Sequence, residues 1–508
     1  MTLNSTDTDI REEESIIASN SLYYISRYAS KFLFSFIVGI FLVRFLGPSN
    51  YGLYSLSMVY WGMFSAVFSM GFGSTIQYAV SKYRAKKDPE SAVWIVKHYL
   101  LMLSISSIIG AIVMFLLSGT IAQIYRIPQL SLLIKVLAVG LLFYSLSESF
   151  SANVYIGYQK MKYTFITGIT YDVLRLVQVA VVVAGLGILG AIAFYDIIYI
   201  IVGIMSVYLV YRILHKNSSS TQISASDMGE FRSYNRFSYE SNLISFTYGS
   251  VMMLLLGFLA PDISFVGFYR AGLLMASVLS TPASALIAAP FATSTKFLIR
   301  KEMDNVYRVQ SVLIRYAAMI TIPLVVGAMI SARQLVIYLY RSQLLGAQTP
   351  FQIILLSVLV SGILAPLTSV LSAMGKQKYS MYSIGIGAII AITFTIVFVP
   401  SFLAVGAAIT YLISSLSAIA VNLFFLSRYI RIKIPYVAVA KSFGAAAIMG
   451  LYLYLMLSIV TNLKVLPIIL ISGLILYVII IYLLKVLTKS DIRFLLKVTH
   501  LYNVIIRK

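Results

Sequence analysis

Apolar runs of about twenty residues, separated by short polar breaks, recur along almost the whole chain. Twenty helical residues at 1.5 Å each cover the roughly 30 Å hydrocarbon core of a bilayer, so each run predicts a membrane-crossing helix. The count is about fourteen. The runs are 21–44, 51–75, 94–118, 131–151, 164–186, 190–212, 238–260, 265–294, 310–331, 351–374, 380–399, 404–427, 437–460 and 465–487. The breaks carry helix punctuation. In LGPSNYGLYSLSM, Leu46 to Met58, Gly47 and Pro48 end one helix, Ser49 or Asn50 is placed to cap the next, and Tyr51 and Tyr54 fall at interface depth. A tight hairpin between the first two spans is expected.

That stretch has an echo, LAPDISFVGFYRAG, beginning at Leu259. Gly52 pairs with Gly267, Gly157 to Lys160 with Gly375 to Lys378, and Gly190 to Ala193 with Gly406 to Ile409, at offsets of 215 to 218 residues. Each repeat holds six spans, and an even number gives both the same orientation, so two parallel lobes about an axis along the membrane normal are predicted. The N-terminal lobe takes 1–214, a Ser-rich polar cytoplasmic linker 215–236, and the C-terminal lobe 237–433. An unpaired helix pair follows over 434–488. The tail 489–508 alternates Ile492, Leu495, Leu496 and Val498 with Arg493 and Lys497, as an amphipathic helix on the inner leaflet would.

Composition agrees with an all-α polytopic membrane protein: 60% of the residues are hydrophobic, 11% are charged, and the mean hydropathy is +0.91. The formal charge of +22 punctuates the spans instead of forming a patch, which points to anionic headgroups and not to nucleic acid. About thirty of the 39 basic residues fall on one face and about seven on the other. Both termini are therefore expected in the cytoplasm. The first residues are acidic, with Asp7, Asp9 and Glu12 to Glu14, unlike the basic start of a signal peptide, so the first helix is expected to stay. Without Cys and with three scattered His, thiolate and His-cluster metal sites are excluded.

The order and spacing of LGPSNYGLYSL, of GFGSTIQYAVSKYRAKKD from Gly71 to Asp88, of the Gly157 and Gly375 loops, and of LTKSDIRFLLK from Leu487 to Lys497 resemble one known family. It is the polysaccharide (oligosaccharide) flippases of the multidrug/oligosaccharidyl-lipid/polysaccharide exporter superfamily, and the likeness runs over nearly the whole chain. The resemblance implies two six-helix lobes around a central cavity. It also implies alternating access and movement of a polyprenyl-(di)phosphate-linked oligosaccharide to the outer leaflet of a prokaryotic cell membrane, for polysaccharide or glycoprotein biosynthesis. The extra helix pair would flank a groove for the polyprenyl tail, and glycan-assembly glycosyltransferases would be neighbours. Because the drug exporters of the superfamily look like a twelve-span version, the pair favours the oligosaccharide branch.

Such a substrate needs cations facing a wet cavity. Arg27 and Lys31 share a helix face. Arg27 lies roughly 8 to 9 Å from the inner end of its span, within snorkelling reach, whereas Lys31 lies roughly 15 Å in, placed to line the cavity. Arg270, near the outer end of span eight, is positioned for a phosphate in the outward-open state or for snorkelling outward. Arg44 and Arg315 sit near helix ends. Asp172 and Arg175, three residues apart, read first as a local ion pair. The alternative gives Arg175 to phosphate and Asp172 to H⁺ or Na⁺ coupling, with Asp196 the second coupling carboxylate. Glu148 and Glu240, near the inner surface, are expected to meet water or basic neighbours.

Most of the 37 Tyr read as interface anchors or packing, with Tyr60, Trp61 and Gln77 as examples of faces for sugars. Pro282, Pro290, Pro323 and Pro366 interrupt spans of the second lobe as hinges or static kinks. No catalytic residue, cofactor or metal is expected. A small-molecule exporter of the same superfamily is the alternative. A membrane-embedded glycan polymerase, ligase or glycosyltransferase is disfavoured because Asp262 is the sole acid in the short outer loops.

Overall fold

The computed structural model describes residues 5–214, 223–299, 302–368, 370–460 and 462–487, and among these it contains helices and no strand. The expected tail helix 489–508 lies outside the described residues, as does 215–222 of the expected linker. The helices are α1 (Ser5–Phe68), α2 (Phe72–Ala85), α3 (Pro89–Tyr125), α4 (Pro128–Tyr144), α5 (Ala152–Gly157), α6 (Met161–Val181), α7 (Gly187–Leu214) and α8 (Ala225–Leu259). Then come α9 (Ser264–Ile299), α10 (Met303–Ile330), α11 (Ala332–Tyr340), α12 (Gln348–Thr368), α13 (Val370–Ala373), α14 (Gln377–Ser427), α15 (Tyr436–Ile459) and α16 (Leu466–Leu483).

Among the described residues, 10 helical stretches are long and apolar enough to cross a membrane. Three of these, Ser26–Phe68, Met161–Leu214 and Gln377–Ser427, are double-length, each with a non-helical break inside it. In α1 the break is Gly47, at φ 72° and ψ 177°, conformations open to glycine at little cost. Pro48 follows in helical geometry at the first position, where its missing N–H costs nothing. The second segment therefore starts at Pro48, earlier than a Ser49 or Asn50 cap would place it. Between α6 and α7 the turn falls at Gly185 and Gly187, both with positive φ. In α14 it falls at Leu403, a non-glycine residue at φ 53°.

Chain packing divides the protein into two units: Met1–Arg270 with Thr395–Leu403, and Ala271–Phe394 with Ala404–Lys508. This grouping follows contacts and not the repeat, and it assigns α8 to the first unit. The reason is visible along α8. Gly71 caps the start of α2, and a Cβ there would stand 2.8 Å from the Asn235 carbonyl and the Tyr239 amide; the Thr75 hydroxyl donates to Asn235 Oδ1 at 2.9 Å.

The polar first turns of α8, ahead of its apolar run, are held to α2 by charge. Lys82 Nζ meets Asp227 Oδ1 at 2.9 Å and also pairs with Glu230, while the Tyr83 hydroxyl donates to Asp227 Oδ2 at 2.8 Å. The Lys82 ammonium and then the Tyr83 hydroxyl hold the Asp227 carboxyl down at about 2. That value lies below the ordinary carboxylate value near 4, so the contact contributes stability above that pH and loses it as the pH falls towards 2. Helix α8 thus begins at Ala225, inside the stretch expected to be linker.

In the second unit α15 and α16 pack on each other and on α10. Ala318, Ile322, Ala445, Met449, Leu453 and Tyr477 form one buried cluster, and the Tyr477 hydroxyl donates to the Met319 carbonyl at 3.0 Å.

Candidate functional site

The charges inside the first unit gather in two places. At one of them Arg27 of α1 is 8% exposed, and its Nη1 pairs with Asp172 Oδ2 of α6 at 2.7 Å. The Ser30 hydroxyl donates to the same oxygen at 2.6 Å. The guanidinium crosses α6 at Gly168, where any Cβ would fall on Arg27 itself. A charge this deep in an apolar helix is stable because its partner is an opposite charge with a second hydrogen bond. Arg27 therefore does not snorkel, and Asp172 does not pair locally with Arg175. The inter-helix partner wins because Arg27 reaches Asp172 through the gap at Gly168, whereas Arg175 has other partners.

Beside that pair lies a cavity of about 150 Å³, lined by Arg27, Lys31, Glu148, Thr164 and Thr167 among others. Lys31 is exposed, one turn beyond Arg27. Glu148 comes from the π-helical stretch Ser145–Ser151 that continues α4, and wide π turns of this kind often mark functional positions. The site can hold an anion against Arg27 and Lys31, with hydroxyls to complete its hydrogen bonds.

The other place is built on the hairpin motif. Arg175, half-buried, donates to the Tyr54 hydroxyl at 3.1 Å and to Gln178, and lies over the Tyr195 ring at 5.1 Å. Tyr54 stacks on Tyr51 with centroids 6.3 Å apart, and Tyr51 is within electrostatic reach of both Arg270 and Arg175. Arg270 is exposed near the start of α9.

Asp196 stands apart from both. It is 4% exposed on α7, against Gly140 of α4, and among the described residues no other side chain hydrogen-bonds its carboxylate. Trp61 packs among Tyr144, Tyr195 and Tyr199, with centroids 4.4 to 5.5 Å away, and Tyr60 meets Tyr125 edge-on at 5.8 Å. These rings serve as packing. Gln77 is half-buried and belongs to neither place. Among the described residues no cluster of three metal-ligating side chains is present.

Sequence reasoning placed Arg27, Lys31, Arg175, Arg270, Asp172 and Asp196 in the spans and missed how they combine. The one signal for the Arg27–Asp172 pair was scarcity, since a buried cation among so few acids needs one of them.

The sequence model of a family described as polysaccharide biosynthesis protein matches residues 17–297. No curated protein matches the chain. Among solved structures, a lipid II flippase MurJ in an inward closed conformation is similar at TM-score 0.76 and 14% identity, over 91% of this chain and 98% of that one. An inward-facing multidrug resistance MATE family transporter of the MOP superfamily is similar at 0.65 and 14%, over 78% of this chain and 94% of its own. An outward-facing one reaches 0.56 and 16%, over 81% and 94%. At these identities the likeness is one of fold.

Proposed function

The chain belongs to the polysaccharide biosynthesis protein family, and from that premise we propose that it is a flippase for a lipid-linked oligosaccharide. It would carry a polyprenyl phosphate- or diphosphate-linked glycan from the cytoplasmic to the outer leaflet of the cell membrane by alternating access, with both termini cytoplasmic. The observation that carries this reading over a drug exporter is coverage. The flippase structure accounts for 91% of this chain, and the two multidrug transporters for 78% and 81%.

The two charged places supply the mechanism. A lipid phosphate entering from the inner leaflet meets Lys31 and Arg27, whose Asp172 partner keeps the arginine oriented while Lys31 remains open to an acceptor. Arg175 and Arg270 stand further out as a second station. Each step then exchanges one cationic partner for another, and no phosphate charge is left bare in hydrocarbon. Helices α15 and α16 would flank the polyprenyl tail. Asp196 is the stronger candidate for H⁺ or Na⁺ coupling, because Asp172 is committed to Arg27 and Ser30. Glycosyltransferases that assemble the glycan would act next to it.

Proteoliposomes offered a polyprenyl-diphosphate oligosaccharide and a small organic cation side by side test the choice. Translocation of the glycan lipid without cation export supports the flippase. Cation export without glycan movement establishes the exporter instead.

A further inference from the structure

In the second unit, a cavity of about 490 Å³ opens where the start of α15 meets α10 and the turn after α16. Three cations line it, each from a different element: Arg315 of α10, Lys441 from the second turn of α15, and Lys485 just past α16. Among the described residues, no carboxylate lines it. Lys441 Nζ donates to the Leu484 carbonyl at 3.0 Å, which fixes it beside Lys485 and leaves two of its three N–H bonds for another acceptor. Helix α15 starts at Tyr436 after the N-cap Pro435, with no side-chain cap, so the end that borders the cavity also presents uncapped backbone donors.

The rim is apolar. Tyr436 is 73% exposed and Val437 71%, and Leu483 nearby is 70% exposed. From this rim the exposed faces of α15 and α16 continue as Leu451, Tyr454 and Ile459 on one and Ile471, Ile475 and Ile479 on the other. Arg315 and Lys441 stand roughly 7 Å inside their apolar runs, the depth at which headgroups give way to acyl chains.

We propose that this cavity binds the phosphate of an anionic phospholipid from the leaflet on the basic side of the membrane, with the acyl chains laid on α15 and α16. The cation cluster neutralises the phosphodiester. A soluble anion would satisfy the cations and leave the apolar rim uncovered. A polyprenyl phosphate shares the phosphate chemistry, but the cavity opens beside lipid-facing surface, where bulk phospholipid far outnumbers a carrier. The site lies within the second unit and the Arg27 and Arg175 stations within the first, and the inference does not depend on the flippase reading.

Native mass spectrometry of the purified full chain, mixed with equimolar phosphatidylglycerol and phosphatidylcholine, tests it. The expected result is preferential retention of phosphatidylglycerol, weakened by added salt and reduced roughly fivefold per cation in Arg315→Gln, Lys441→Gln and Lys485→Gln. Lys464→Gln, near the far ends of α15 and α16, should retain the lipid as the unaltered chain does. If the triple variant misfolds, the lipid competition and its salt dependence on the unaltered chain decide. Equal retention of the two lipids there, or full retention by a folded triple variant, overturns the proposal. Displacement of phosphatidylglycerol by substoichiometric polyprenyl monophosphate assigns the cavity to the carrier and overturns the phospholipid assignment.

Discussion

Arg27 and Asp172 stand 145 residues apart in sequence and 2.7 Å apart in space. No local pattern encodes such a pair. Helical spacing relates Asp172 to Arg175, but it cannot reveal that Gly168, one turn earlier, leaves the gap through which a guanidinium from α1 arrives. Removing one partner strands a buried charge, so Asp172→Ala should destabilise the protein by about 3 kcal/mol or more. Arg27→Met combined with Asp172→Leu should recover most of that loss. Thermal unfolding in detergent measures the cycle, and additive single effects would show that the two groups do not act as a pair. Asp196 presents the opposite case, a buried carboxylate that no other described side chain partners. Asp196→Asn is expected to uncouple transport from an imposed H⁺ or Na⁺ gradient while leaving downhill movement. Unchanged gradient dependence in proteoliposomes would remove Asp196 from the mechanism.

The apolar runs made the helices legible, and the glycines marked several of their breaks. Gly47, Gly185 and Gly187 all adopt positive φ at span boundaries. The break at Leu403 was bracketed by the runs but carries no glycine to mark it: a leucine there takes a positive φ that non-glycine residues disfavour. The early start of α8 was also hidden. Its first turns are polar and read as linker, and they become helix through Lys82, Tyr83 and Glu230 contacts that span some 145 residues of sequence.

The two hairpin stretches that the sequence relates by its repeat meet reciprocally. A Cβ on Gly52 would fall on the Ile263 carbonyl oxygen, and one on Gly267 on the Pro48 carbonyl oxygen. Gly52 and Gly267 are the counterparts expected from the repeat, and each packs against the backbone four residues ahead of the other. Gly52→Ala or Gly267→Ala should each cost about 1–3 kcal/mol through overpacking. Gly119→Ala, with nothing within 4 Å of its added methyl group, serves as the control. Equal melting temperatures for all three would contradict the close crossing.

At the scale of the whole molecule, hydropathy and charge alternation gave a polytopic helical protein, and the fold matches a flippase over 98% of that protein's length. The candidate site was legible as a set of residues but not as an arrangement. Charged groups within apolar runs stand out in any sequence, whereas the helix faces they share depend on tertiary packing. In the proposed mechanism Arg27, paired with Asp172, serves structure and orientation, and Lys31, which lines the neighbouring cavity, is the cation open to a phosphate. Loss of one charge-assisted contact of about 1.5 kcal/mol corresponds to roughly tenfold in rate. The decisive measurement is translocation of a labelled polyprenyl-diphosphate oligosaccharide in proteoliposomes containing the unaltered chain or Lys31→Gln. The account predicts flipping by the former, slowed about tenfold or more in a variant of equal melting temperature. Absence of flipping by the unaltered chain, or full flipping by the variant, would contradict it.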